Sequence, residues 1–257
     1  MTYIKLILTT VFWGGTFIAG RFIAGKVDPY AAAFMRFLIA SFFLTILTIK
    51  IEGRLPALNL RKVILITLLG MTGVFSYNIF FFSGLKHIQA NQASLIIATN
   101  PIFISLCSAL FFKEKISLLK GVGLCLSVSG ALIVISGGGL MSLVNMGLGK
   151  GQVLIFGCVA SWVAYSILGK MAMNELSPVA SVCYSSVAGT ILLFLPAFSR
   201  GLFSQVPDYH LVEWASFFYL GFFGTVLGFF WYYEGIKKIG PMKAGIFINF
   251  VPVSAII

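Results

Sequence analysis

The stretch Gly84-Leu85-Lys86-His87-Ile88, leading into Asn100-Pro101, returns as Gly235-Ile236-Lys237-Lys238-Ile239, leading into Val251-Pro252. Gly70, Gly73, Gly84, Lys86, Ile88 and Pro101 each meet an identical residue 151 positions later. Trp13 and Pro29 meet theirs, Trp162 and Pro178, after 149. The chain is therefore a duplication of about 150 residues, and each copy holds room for five hydrophobic runs. An odd number of membrane crossings inserts the second copy upside down. Inverted-topology repeats characterise secondary transporters, whose substrate site lies near the midplane where the copies meet.

Composition agrees. Of 257 residues, 59% are hydrophobic and 10% charged, against about a quarter charged in a soluble domain. A helix needs roughly 20 apolar residues to cross the hydrocarbon. The hydropathy pattern predicts spans near 3–24, 30–50, 63–84, 90–112, 117–137, 151–172, 178–198, 212–234 and 240–257. The ninth corresponds to the fourth, so a counterpart of the fifth is missing and the chain reads as truncated within or after helix 9. Runs such as 124–135 are apolar on every face, without barrel-like alternation, which leaves helices as the spanning structure. The expected architecture is all-α and integral to the membrane, with repeats over 1–138 and 150–257.

With the N-terminus inside, twelve Lys and Arg fall on the inner side and six on the outer, the bias the positive-inside rule requires. The net charge of +11 then reports topology and contact with anionic headgroups. Spread over short loops, it argues against a nucleic-acid partner. Cys107, Cys125, Cys158 and Cys183 all fall within spans without paired spacing and read as small apolar packing residues. His87 and His210 sit near span ends with no local ligand partner. Neither a metal nor a cofactor is expected.

The stretches Trp13-Gly14-Gly15-Thr16-Phe17, Pro29 with Arg36-Phe37-Leu38-Ile39-Ala40, and Asn100-Pro101 with Phe111-Phe112-Lys113-Glu114-Lys115 resemble the EamA-type repeat of the drug/metabolite transporter superfamily. So do Gly121-Val122-Gly123 with Gly130, and Glu234-Gly235 with Gly240-Pro241 and Pro252. The resemblance spans essentially the whole chain. It implies a ten-helix inner-membrane carrier of two inverted five-helix repeats, generally an exporter of small metabolites such as amino acids or related amphipathic solutes. It names no particular solute. In that family the fifth and tenth helices lie outside the cavity. The small face of Gly123, Ser127 and Ala131 is thereby left for a tenth helix or for a second protomer, as in a homodimer.

Proline marks the expected substrate site. Pro101 and Pro252 sit at equivalent depths of the fourth and ninth spans, where each lacks an N–H and clashes with the carbonyl four residues back, at Ile97 and Ile248. Kinked helices in corresponding halves point to a carrier's site. Asn78, Asn100 and Asn249 lie at similar depth and must face solute or other helices, since a buried amide without partners costs free energy. Tryptophan normally prefers the interface, yet Trp13 and Trp162 are near span centres and are repeat partners. Tyr77, Tyr165 and Trp231 join them as candidate walls of an aromatic cavity, the competing role being junction packing. Arg36, about two turns into the second span, either meets a substrate carboxylate or snorkels outward. Glu234 either relays a proton or pairs with Lys237 and Lys238. An enzyme would need a cluster of nucleophile, base or metal ligands, and seven acids with two histidines, mostly in loops, do not supply one.

Overall fold

In a computed structural model of the chain, residues 1–114, 121–123, 126 and 149–256 are described. Most of the predicted fifth span, Cys125, the Gly137-Gly138-Gly139 linker, and Ser127 and Ala131 of the small-residue face lie outside them. Seven helices among the described residues are long and apolar enough to cross a membrane: Thr2–Ile23, Pro29–Glu52, Leu60–Leu85, Gln92–Phe112, Lys150–Ala172, Pro178–Ser199 and Leu211–Ile239. No strand occurs among the described residues beyond one isolated bridge, Ala24 to Val27. Helix is what an apolar environment demands, because it satisfies every backbone N–H and C=O within the segment.

Equivalent sequence signals start equivalent helices. Asp28 caps the second span by accepting from Tyr30 N at 2.9 Å, and Pro29 occupies its first turn. Ser177 caps the seventh by accepting from Ala180 N at 3.1 Å, ahead of Pro178. Both use a polar cap followed by proline, which needs no helical donor at that position.

Four spans depart from simple helices. The third carries a π-helical segment over Gly70–Ser76 and the eighth one over Tyr219–Leu227, which contains the repeat counterpart of the whole first segment. The fourth breaks into Ala90–Ile97 and Asn100–Phe112. The ninth, expected as one helix over 240–257, is instead Pro241–Ile246, a 3-10 turn Phe247–Phe250 and Val251–Ile256. Proline supplies the reason in both: without an N–H, Pro101 and Pro252 cannot close the bond to Ile97 and Ile248.

The helices pack across the repeat. The first lies against the eighth and, equivalently, the sixth against the third. The second meets the seventh, its own counterpart. Val251–Ile256 packs on the first span as Asn100–Phe112 packs on the sixth. Glycine sets the closest approaches. A Cβ on Gly84 would meet Ile155 Cδ1 at 2.6 Å, and one on Gly235 would meet Leu6 Cδ2 at 2.7 Å; Leu6 and Ile155 are themselves 149 residues apart.

Loop contacts sort by side. Lys5 Nζ meets Glu234 at 2.5 Å and Arg61 meets Glu175 at 3.2 Å, at ends sharing the side of the N-terminus in the predicted topology. Lys26 with Glu213 at 3.8 Å and Arg200 with Asp28 at 3.5 Å join opposite-side ends.

Candidate functional site

The two repeats meet at a small central cavity. Its walls include Trp13 and Thr16 of the first span, Arg36 of the second, and Tyr77 and Phe81 of the third. Ile97 and Asn100 come from the fourth, Trp162 from the sixth, Phe229 from the eighth, and Ile248 and Val251 from the ninth. Of about 20 Å³, it has room for roughly one water.

Those rings are tightly engaged. Trp13 and Trp162 meet edge to face at 5.1 Å and 85°, and Phe229 stands edge-on to Trp162 at 4.9 Å. Tyr77 leans on Trp162 at 5.5 Å and stacks with Phe81 at 5.9 Å. Offset and edge contacts of this kind are the favoured aromatic geometries.

The π-helical segments deliver residues to this centre. A π turn displaces the following residues around the helix and leaves carbonyls without their usual partners. In the third span Asn78 Nδ2 donates to Val74 O at 2.7 Å and more weakly to Gly73 O at 3.5 Å. In the eighth, Thr225 Oγ1 donates to Leu220 O at 3.0 Å, and Trp13 Nε1 donates to Gly224 O at 2.9 Å.

Arg36 links the two segments. Its Nη1 donates to Asn78 Oδ1 at 2.9 Å and its Nε to Thr225 Oγ1 at 3.0 Å. The side chain is fully enclosed, with the residue 2% exposed, so it does not snorkel. Its guanidinium lies 5.3 Å from the Phe37 ring and 5.9 Å from Phe229. No described carboxylate forms an ion pair with it. Removing a charge from water costs several kcal/mol even after relaxation, and each hydrogen bond to a charged group returns roughly 1.5–3 kcal/mol. Two neutral acceptors offset much of that cost and leave the charge unneutralised.

Asn100 answers the proline break. Its Nδ2 donates to Ile97 O at 2.9 Å, the carbonyl Pro101 leaves open, while Asn100 Oδ1 is buried without a partner among the described residues. Trp162 Nε1 is likewise buried with no acceptor in hydrogen-bonding geometry, beside the Tyr232 hydroxyl, which pairs with Ser166 Oγ at 3.2 Å.

The predicted site residues thus divide. Trp13, Tyr77, Asn100, Trp162 and Arg36 line the cavity, and Asn78 lies directly behind Arg36. Tyr165 is buried beside the cluster, its hydroxyl 3.1 Å from Ser185 Oγ. Trp231 sits at the periphery, ring to ring with Phe12 at 5.8 Å. Asn249 is exposed on the 3-10 turn, away from the cavity. Pro101 and Pro252 shape the breaks without lining it. Glu234 belongs to the ionic cluster of Lys5 and, at 3.9 Å, Lys238.

The model of the EamA-like transporter family matches residues 1–136 and again 149–257. The chain belongs to that family. Among EamA-like relatives, the uncharacterized transporter YyaM of Bacillus subtilis is 27% identical over 99% of this chain and 84% of its own. An uncharacterized transporter of Archaeoglobus fulgidus is 30% identical, over 99% and 87%. A probable terminal-alkyne amino-acid exporter of Streptantibioticus cattleyicolor is 28% identical, over 98% and 82%. A protein of solved crystal structure shares the fold, with a TM-score of 0.72 over 99% of this chain and 85% of its own at 19% identity. The protein is thus a multi-pass membrane transporter, with lipid as its surroundings and a small molecule as its cargo.

Sequence reasoning about this EamA-like chain missed Thr16, Phe17, Phe81, Phe229, Val251 and the bridging Thr225. Phe229 and Val251 were legible in principle as the repeat counterparts of Asn78 and Asn100. The π segments left no such signal beyond their glycines.

Proposed function

We propose that this EamA-like protein is a secondary carrier exporting small metabolites, amino acids or related amphipathic solutes, by alternating access around the central cavity. The units that rock are the repeats 1–138 and 150–257, inserted in opposite senses, with the N-terminus in the cytoplasm and the protein in the cell's inner membrane. The observation that carries the reading is the meeting of repeat partners Trp13 and Trp162 edge to face at 5.1 Å in a cavity too small for a solute. Rings that close the centre must separate for a solute to occupy it, and packing that exchanges across the repeat (first on eighth, sixth on third) permits two mirrored openings. The solute is bound and oriented, with no covalent step. Export draws support from the relative named as an amino-acid exporter, and the loop-charge bias supports the cytoplasmic N-terminus.

The test compares metabolites released by cells expressing the parent chain, a Trp13→Ala/Asn100→Ala variant, or neither, at equal membrane abundance. The expected result is one or more amphipathic metabolites enriched outside only with the parent. Equal release from all three overturns export and favours an importer, a facilitator or a non-transporting scaffold of the same fold.

A further inference from the structure

Resting on the carrier reading, we propose that the cavity selects solutes bearing a carboxylate, which Arg36 and the indole N–H of Trp162 receive together. Arg36 is the only charged side chain in the described lining. It has five N–H donors, and its hydrogen bonds, from Nε to Thr225 and from Nη1 to Asn78, occupy two. Those two acceptors fix the plane of the guanidinium and leave its remaining N–H groups for a ligand. A planar fork held in this way matches a carboxylate's two oxygens.

The second donor arises from a break in the repeat. Trp13 Nε1 donates to Gly224 O; by symmetry Trp162 Nε1 would donate to Gly73 O. Asn78, where the second copy has Phe229, turns its own amide to Gly73 O and Val74 O instead. Trp162 Nε1 is left buried without an acceptor in hydrogen-bonding geometry, on a residue of the cavity wall. Two buried donors, one of them charged, thus belong to residues that line a space with no described acid to receive them. A carboxylate satisfies both, and the faces of Trp13 and Phe229 then cover the solute's apolar body. The unpaired Asn100 Oδ1 accepts from an ammonium or hydroxyl where the solute carries one. An organic cation lacking a carboxylate has no anionic partner here and faces Arg36 directly.

The experiment uses the purified full chain and three probes of one shape: L-leucine, 4-methylpentanoate (no ammonium) and 3-methylbutylamine (no carboxylate). Binding is read as the ligand-induced rise in melting temperature of the parent, Arg36→Gln, Arg36→Lys and Trp162→Phe proteins. Each variant's unliganded melt establishes that it is folded. The expected result is stabilisation by leucine and 4-methylpentanoate and none by the amine. Trp162→Phe, which keeps a ring and loses the donor, weakens both acids several-fold; Arg36→Lys weakens them tenfold or more. Should Arg36→Gln fail to fold, the Lys and Phe variants carry the test. Stabilisation by the amine equal to that by leucine, acid binding unchanged in folded variants, or no response to any probe overturns the inference. With metabolite release by cells intact, each of those outcomes leaves the carrier reading standing; loss of that release in the parent is the separate failure of the carrier itself.

Discussion

The two repeats share three equivalent positions in the cavity wall, Trp13 with Trp162, Ile97 with Ile248 and Asn100 with Val251, and diverge in chemistry around them. The first copy places Thr16, Arg36, Asn78 and Asn100 where the second has Tyr165, Ser185, Phe229 and Val251. Backbone features were kept in both: π segments, proline breaks, and glycines where helices approach most closely. Repetition thus supplied a common scaffold, and divergence placed the one charged lining side chain, Arg36, and the Asn100 amide in the first copy, where the second has Ser185 and Val251. An exactly symmetric cavity would have two arginines side by side or none.

The most severe way to break the comparison is to remove either member of the shared tryptophan pair. Trp13→Ala and Trp162→Ala should each destabilise by about 3–5 kcal/mol, as aromatic truncation in a packed core does, read from thermal unfolding in detergent. Because Trp13 also supplies the bond to Gly224 O, its loss should be the larger. Equal losses would mean that this bond contributes nothing.

Filling the glycine contacts tests what both copies retain. Gly84→Leu and Gly235→Leu insert side chains where even a Cβ lies within 2.7 Å of Ile155 or Leu6. Overpacking of this kind costs roughly 1–3 kcal/mol, and similar costs in the two copies are expected. A marked inequality in melting would show that the packing is less symmetric than the sequence repeat.

Making the copies alike at the proline break should separate function from fold. Asn100→Val copies Val251 and strips the donor from Ile97 O, at a cost of about 1–3 kcal/mol for the unsatisfied carbonyl. Val251→Thr adds a hydroxyl at a buried position that can donate to the carbonyl four residues back, and should cost less because no carbonyl loses its donor. Thermal unfolding of both orders the two effects.

The smallest effect belongs to the periphery. Lys5 and Glu234 are partly exposed, so Glu234→Gln should lose about 0.2–1 kcal/mol, shrinking as salt is added. A larger, salt-insensitive loss would give Glu234 more than an ion-pairing role.

Much of this was readable from residues. Spacings of 149 and 151 revealed the duplication, proline located both breaks, and the depth of Trp13 and Trp162 set them apart from interfacial tryptophan. Asn249 shows where such reading failed: its depth matched that of Asn100, but depth along a helix does not determine the face, and the 3-10 turn directs it outward. Trp231 failed for the same reason. Tyr232, one residue on, is 1% exposed in the cluster, while Trp231 faces the rim. Arg36 was legible as an anomaly, and its two readings could not be separated without its partners.

The sequence by itself determined the class of molecule: a duplicated, helical, membrane-embedded chain whose copies run in opposite senses. Hydropathy, parity of spans and repeat spacing are properties of the chain alone, so they needed no coordinates. Only the tertiary structure decided which side chains share the centre. A hydrogen bond such as Arg36 to Thr225 joins residues 189 positions apart through a π turn that shifts the register of the eighth span, and no local pattern encodes where such a shift leaves a side chain.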